Sequence, residues 1–146
     1  MGEGNSMKQA KTLVDSSVII AAYLRKDAQH ERAIKALKKL PEKSLVMNLL
    51  LASEVATVLL LRTKNRSFAA QIADVLFFNS EPLIKLARLN STLWQQTYQR
   101  FSKQSSSKLS LADCSLATQA KLYGIKTILT FDRDLKREYQ GEFEFI

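Results

Sequence analysis

Residues 12–26 read TLVDSSVIIAAYLRK. Three β-favouring residues (Thr12, Leu13 and Val14) run into a carboxylate, Asp15, and apolar side chains then recur at helical spacing. A strand that stops on an acid and turns directly into a helix, with Ser16 or Ser17 placed to cap it, is half of a β–α unit. The same figure returns late in the chain. Lys126–Phe131 is expected to be a strand, ILTFD closes on Asp132, and Arg133–Glu138 should be a short helix.

Between these two figures, elements alternate. His30–Leu40 repeats Ala33, Ile34, Leu37 and Leu40 and is stopped by Pro41. Leu45–Met47 is a short strand candidate, followed by a nearly all-apolar helix over Leu49–Arg62 and an amphipathic one over Ser67–Phe78. Pro82–Leu86 is the next strand candidate. Asn90 should cap a helix bearing Leu93, Trp94, Thr97 and Phe101, and KQSSSK (103–108) is the clearest loop. Ser110–Tyr123 reads as a helix closed by a left-handed Gly124, and Phe143–Ile146 as a last strand. Strands alternating with helices imply an α/β fold with a parallel sheet in three layers, helices on both faces.

The chain has 146 residues, a length that suits one domain, since single cores span about 100–200 residues. The opening MGEGNSM, with a second Met at position 7, reads as an added or disordered start, leaving 8–146 as the domain. Composition is 46% hydrophobic and 25% charged, which excludes disorder and fibrous repeats. No apolar run reaches membrane-spanning length and no signal-peptide pattern is present, so a cytoplasmic protein without membrane contact is expected.

One histidine (His30) and one cysteine (Cys114) narrow the chemistry. A Ser-His-Asp hydrolase, a two-histidine ribonuclease, a Cys/His zinc site and a disulfide scaffold all require more. Carboxylates, hydroxyls and amines remain. The formal charge is +8, and residues 25–43 alone carry seven basic against three acidic side chains. Such a surface attracts phosphate-rich partners, although it is equally an ordinary solvated helix face.

Four acids stand out. Asp15 and Asp132 end strands, where open α/β sheets bind ligands, yet Asp is also a good helix cap. Glu54 lies in LLLASEVATVLLL, a helix expected to be buried on most of its circumference. A carboxylate there needs a salt bridge, a metal or a route to water. Asp113, in LSLADCSLATQA, stands three residues after Ser110 and fits a capping box as well as it fits a site. Cys114 beside it reads as inert core. Gathered together, the four acids would repel one another unless a cation neutralised them. Without imidazole or thiolate partners that cation would be hard and oxygen-liganded, hence Mg²⁺ or Mn²⁺. Carboxylate-held metal beside a basic surface suits phosphodiester hydrolysis by a metal-activated water.

In order and spacing, TLVDSSVIIAAYLRKDAQHERA, ASEVATVL and LSLADCSLATQAKLYGIKTILTFDRDL resemble PIN-domain proteins, above all the compact VapC-type toxins of toxin–antitoxin modules. The similarity spans residues 12–137. The first motif departs mildly, with Asp-Ser-Ser where Asp-Thr-Ser is commonest. The resemblance implies a five-stranded parallel sheet and a Mg²⁺- or Mn²⁺-dependent endoribonuclease. It also implies a homodimer and a cognate antitoxin that covers the acidic site. It carries the acidic quartet onto Asp15, Glu54, Asp113 and Asp132 as catalytic and metal-binding residues. Ser17, Thr130 and Asp134 would support them, with Asp134 a competitor for the last position. Arg25, Lys26, Arg32 and Lys35 would face RNA.

Other readings are an RNA-processing nuclease outside any toxin–antitoxin pair and a PIN-fold binding module without catalysis, which should have broken acid positions. A receiver-like phosphoacceptor would need adjacent acids after the first strand, and Asp15 has no acidic neighbour.

Overall fold

The computed structural model describes residues 10–78 and 84–146. The expectation for residues 1–7, and the Pro82–Leu83 part of the third strand candidate, lie outside the described residues.

In chain order the elements are β1 (Thr12–Val14), α1 (Ser16–Tyr23), α2 (His30–Lys38), β2 (Leu45–Asn48), α3 (Leu49–Thr63), α4 (Arg66–Phe78), β3 (Ile84–Ala87), α5 (Ser91–Lys103), α6 (Leu111–Tyr123), β4 (Thr127–Leu129), α7 (Arg133–Glu138) and β5 (Glu144–Phe145). The strands form one parallel sheet in the order β3-β2-β1-β4-β5. Seven helices flank it among the described residues. β1 pairs with β2 on one side (Leu13 opposite Val46) and with β4 on the other (Leu13 opposite Ile128). The chain winds outward from β1 to β3, then crosses back to β4. The carboxyl ends of β1 and β4 therefore border the crevice where strand order reverses, the usual ligand position in such sheets.

The central strands are covered on both faces. Leu13, Val14, Ile128 and Leu129 are almost wholly buried, as are Leu51, Val55 and Leu59 of α3 and Leu116, Ala117 and Ala120 of α6. Each large side chain among them contributes about 1.5–3 kcal/mol relative to exposure. α1 packs on α2 and α3, α3 on α4 and α6, and α5 on α6. Gly124 closes α6 at φ 67°, the left-handed conformation expected of it.

Several expectations are corrected. The cap of α1 is Asp15, whose side chain accepts from the Ser16 amide, and neither serine fills that role. The helix stops at Tyr23, where Leu24 turns extended. The long apolar helix α3 is buried along one face only, with Leu60 and Leu61 41% and 65% exposed near its end. Hydrophobic residues exceeded the core surface available to them, so they spilled onto the solvent side. Phe78 and Trp94 are exposed.

Candidate active site

Asp15 is held where β1 becomes α1. It is 2% exposed, and its carboxylate is enclosed by donors. Oδ1 accepts from the Ser16 amide (2.9 Å), and Oδ2 accepts from the Ser17 and Thr130 hydroxyls (2.8 and 2.7 Å). Thr130 comes from the end of β4, so the hydrogen bond ties the two central strand ends together. Its oxygen in turn accepts from the Asp132 amide (3.0 Å), while Ser17 Oγ accepts from the Phe131 amide (3.2 Å). Two hydroxyls thus lock Asp15 to the turn that carries Asp132.

Burial pushes the Asp15 carboxyl above its ordinary value. The Thr130 and Ser17 hydrogen bonds work against this shift, and the Glu54 and Asp132 charges add to it. Asp113 is pushed up to about 6, first by burial and then by the charges of Asp15 and Asp132, against the opposing hydrogen bond from the Ser110 backbone. The four acids from four segments therefore share one electrostatic neighbourhood. Among the described residues, no Lys or Arg forms an ion pair with any of them.

Three of the four acids also serve a helix end. Asp113 completes a capping box with Ser110, and Asp132 caps α7 by accepting from the Asp134 and Leu135 amides through Oδ1. The capping and functional readings are compatible, because a cap fixes a carboxylate while leaving its second oxygen available. Glu54 is half-buried and not sunk in an apolar shell. Its Oε2 accepts from the Ser16 hydroxyl, so it reaches the site from the mouth of the helix. Asp134 points elsewhere, with Oδ1 3.9 Å from both Lys108 Nζ and Arg137 Nη1.

The basic candidates divide. Arg25 and Lys26 line a cavity of about 500 Å³ with Asp27, Arg62 and Phe68, where Asp27 and Arg62 form a 2.9 Å ion pair. Arg32 lies against the turn that carries Asp132, its guanidinium 4.4 Å from the centre of the Phe131 ring. Lys35 is exposed one turn further along α2.

Two contributors were not anticipated. Ser16, considered only as a cap, bridges to Glu54. Asn48, at the end of β2, caps α3 through Leu51 and donates to Ser115 Oγ (3.1 Å) and Gln119 Oε1 (3.0 Å), fastening α6 to the sheet. An asparagine immediately before an apolar helix is a cap signal that was available in the sequence.

No three His, Cys, Asp or Glu side chains are already drawn together at metal-ligand spacing among the described residues. The donor set nonetheless fits a hard divalent cation: all oxygen, acidic, buried at its centre and without a protein counter-charge.

The PIN-domain family profile matches residues 12–139. The chain belongs to the PIN-domain family. Solved PIN-fold neighbours are distant in sequence. VapC20 from Mycobacterium tuberculosis, described as a sarcin-ricin loop cleaving toxin, is 20% identical with TM-score 0.77, over 87% of this chain and 94% of that one. FitAcB from Neisseria gonorrhoeae is 16% identical with TM-score 0.68, over 92% and 96%. A toxin–antitoxin complex from Klebsiella pneumoniae is 14% identical with TM-score 0.65, over 93% and 96%. A search of curated proteins found no match. The PIN architecture accounts for the position of Asp15 and Asp132 at the crevice between β1 and β4. No described helix is long and apolar enough to cross a membrane.

Proposed function

We propose that this PIN domain is a metal-dependent endoribonuclease acting as the toxin of a toxin–antitoxin pair. The observation that carries the reading is Asp15, a buried carboxylate whose neighbourhood holds three further acids, none ion-paired to Lys or Arg among the described residues. Asp15, Glu54, Asp113 and Asp132 would hold Mg²⁺ or Mn²⁺. Bound there, the ion supplies a low-pKa water and a charge for the phosphate oxygens. Ser17 and Thr130 fix the Asp15 carboxylate so that one geometry is ready before the ion arrives. Ser16 does the same for Glu54. The caps on Asp113 and Asp132 hold those carboxylates against the repulsion that would splay them.

An RNA substrate fits the net charge of +8 and the basic residues around α2. Toxin–antitoxin neighbours support an antitoxin partner. Exposed Phe78 and Trp94 support a homodimer, which light scattering would detect.

The test is cleavage of single-stranded and structured RNA by wild type and Asp15→Asn, with Mg²⁺, with Mn²⁺ and with EDTA. Activity should need the metal and should drop by at least about a hundredfold in the variant. Full activity of Asp15→Asn, or in EDTA, overturns the mechanism.

A further inference from the structure

Arg32 is exposed on the first turn of α2, yet its side chain lies with the guanidinium 4.4 Å from the Phe131 ring centre. Phe131 is the residue between Thr130, which holds Asp15, and Asp132, and its own amide is held by Ser17. The arginine is thus registered to the acidic site through one rigid turn. It makes no ion pair among the described residues, and its one polar contact is a long 3.4 Å hydrogen bond to Gln29 Oε1. Asp132 is the neighbour of the ring in sequence but does not capture the guanidinium. A ring face holds a cation in place without cancelling its charge, whereas a carboxylate would hold it and cancel it. The result is a planar cation without an ion-pair partner among the described residues, held on the turn that carries Asp132, while the acidic cluster's own field would repel a polyanion.

We propose that Arg32, held on Phe131, binds a backbone phosphate of the RNA strand next to the one that is cut. This rests on the nuclease reading above and adds a residue that positions the substrate. The guanidinium fork matches two phosphate oxygens, and the ring limits the freedom lost when the contact forms. The contact is equally available before and during cleavage. Its loss therefore raises KM and leaves kcat nearly unchanged. Lys35, on the same helix without a ring beneath it, has no such fixed position.

The experiment measures binding of a fluorescently labelled, mixed-sequence single-stranded RNA across a salt series in the Asp15→Asn background, and steady-state cleavage in the otherwise wild-type protein. Arg32→Gln should weaken binding about tenfold and lower the salt slope by about 0.7, the value of one single-strand phosphate contact. It should raise KM to match. Phe131→Leu and Arg32→Lys should each fall between wild type and Arg32→Gln, and Lys35→Gln should have less effect than either.

Unchanged affinity and slope in Arg32→Gln, or an equal loss in Lys35→Gln, overturns the proposal. So does a fall in Tm with no change in binding, which would make Arg32 a packing residue. If the wild type cleaves nothing in Mg²⁺ or Mn²⁺ but the slope still changes, the nuclease reading fails and the phosphate contact stands.

Discussion

Two polar clusters lie on this domain, and they treat charge in opposite ways. Around Arg100, charge is closed off. The guanidinium meets both oxygens of Glu142 (2.6 and 3.2 Å) and lies 5.2 Å from the Tyr139 ring centre and 6.0 Å from that of Phe143. Around Asp15, charge is accumulated. Four carboxylates share a crevice, and only hydroxyls and amides answer them. The first arrangement is what a chain does to keep its fold. The second costs stability and persists where a bound cation returns it.

The largest expected effect tests whether the hydroxyls of the acidic cluster are mere filling. Thr130→Val removes the donor to Asp15 Oδ2 and the acceptor of the Asp132 amide while keeping the shape. On the proposed nuclease reading, RNA-cleaving kcat/KM should fall about 10–100-fold, the usual loss at a residue that orients a metal ligand. A value equal to wild type would break the link between the two strand ends.

Next is the sign of charge removal. In EDTA, Asp15→Asn should leave stability unchanged or raise it by about 1 kcal/mol, since burial disfavours the ionised group. Glu142→Gln, by contrast, should cost about 0.5–1 kcal/mol, the usual value of a partly exposed pair. Urea unfolding of both variants gives the comparison, and equal signs would erase the contrast.

The pH dependence is smaller. Asp113 has its folded pKa raised from 3.8 to about 6. Its stabilising contribution is therefore complete below the unfolded value and lost as pH rises through about 6. Asp27 and Glu138, whose carboxyls are lowered by hydrogen bonds, lose their contribution only in more acidic solution, outside this window. Metal-free protein should melt a few degrees lower at pH 7.5 than at pH 5. Asp113→Asn should shrink that difference and leave the part that the raised Asp15 carboxyl contributes with the same sign, which thermal melts in EDTA would check.

The smallest effect belongs to the closed cluster. The Tyr139 hydroxyl is buried beside the Cys114 thiol and the Arg100 guanidinium, but makes no hydrogen bond of ordinary geometry among the described residues. Tyr139→Phe should then be neutral or stabilising by less than about 1 kcal/mol in urea unfolding. A clear loss would reveal a partner for that oxygen.

Much of this was legible in the sequence because it is local. The strand ending on Asp15, the Ser110–Asp113 box, the Asn90 cap and the left-handed Gly124 each depend on a few neighbouring residues. Pairings across the sheet were not legible. Nothing in the spacing of Ser16 and Glu54, or of Arg32 and Phe131, says that they meet. The burial of α3 was misread for a related reason. A run of leucines signals helix and apolarity, but the area of core that can accept them is a property of the whole packing. The sequence favoured Asp132 over Asp134 by its place directly at the strand end, and the structure adds direction, with Asp134 turned toward Lys108 and Arg137.

The Thr130–Asp15 hydrogen bond joins residues 115 positions apart, across the β1–β4 pair. During synthesis, which adds about 5–20 residues per second, a growing chain can hold Asp15, Glu54 and Asp113 for seconds before residues 127–132 are made. Until then β1 has only β2 beside it, and the first carboxylate has no threonine to hold it. The acidic cluster is therefore completed only once β4 and the turn after it have been made.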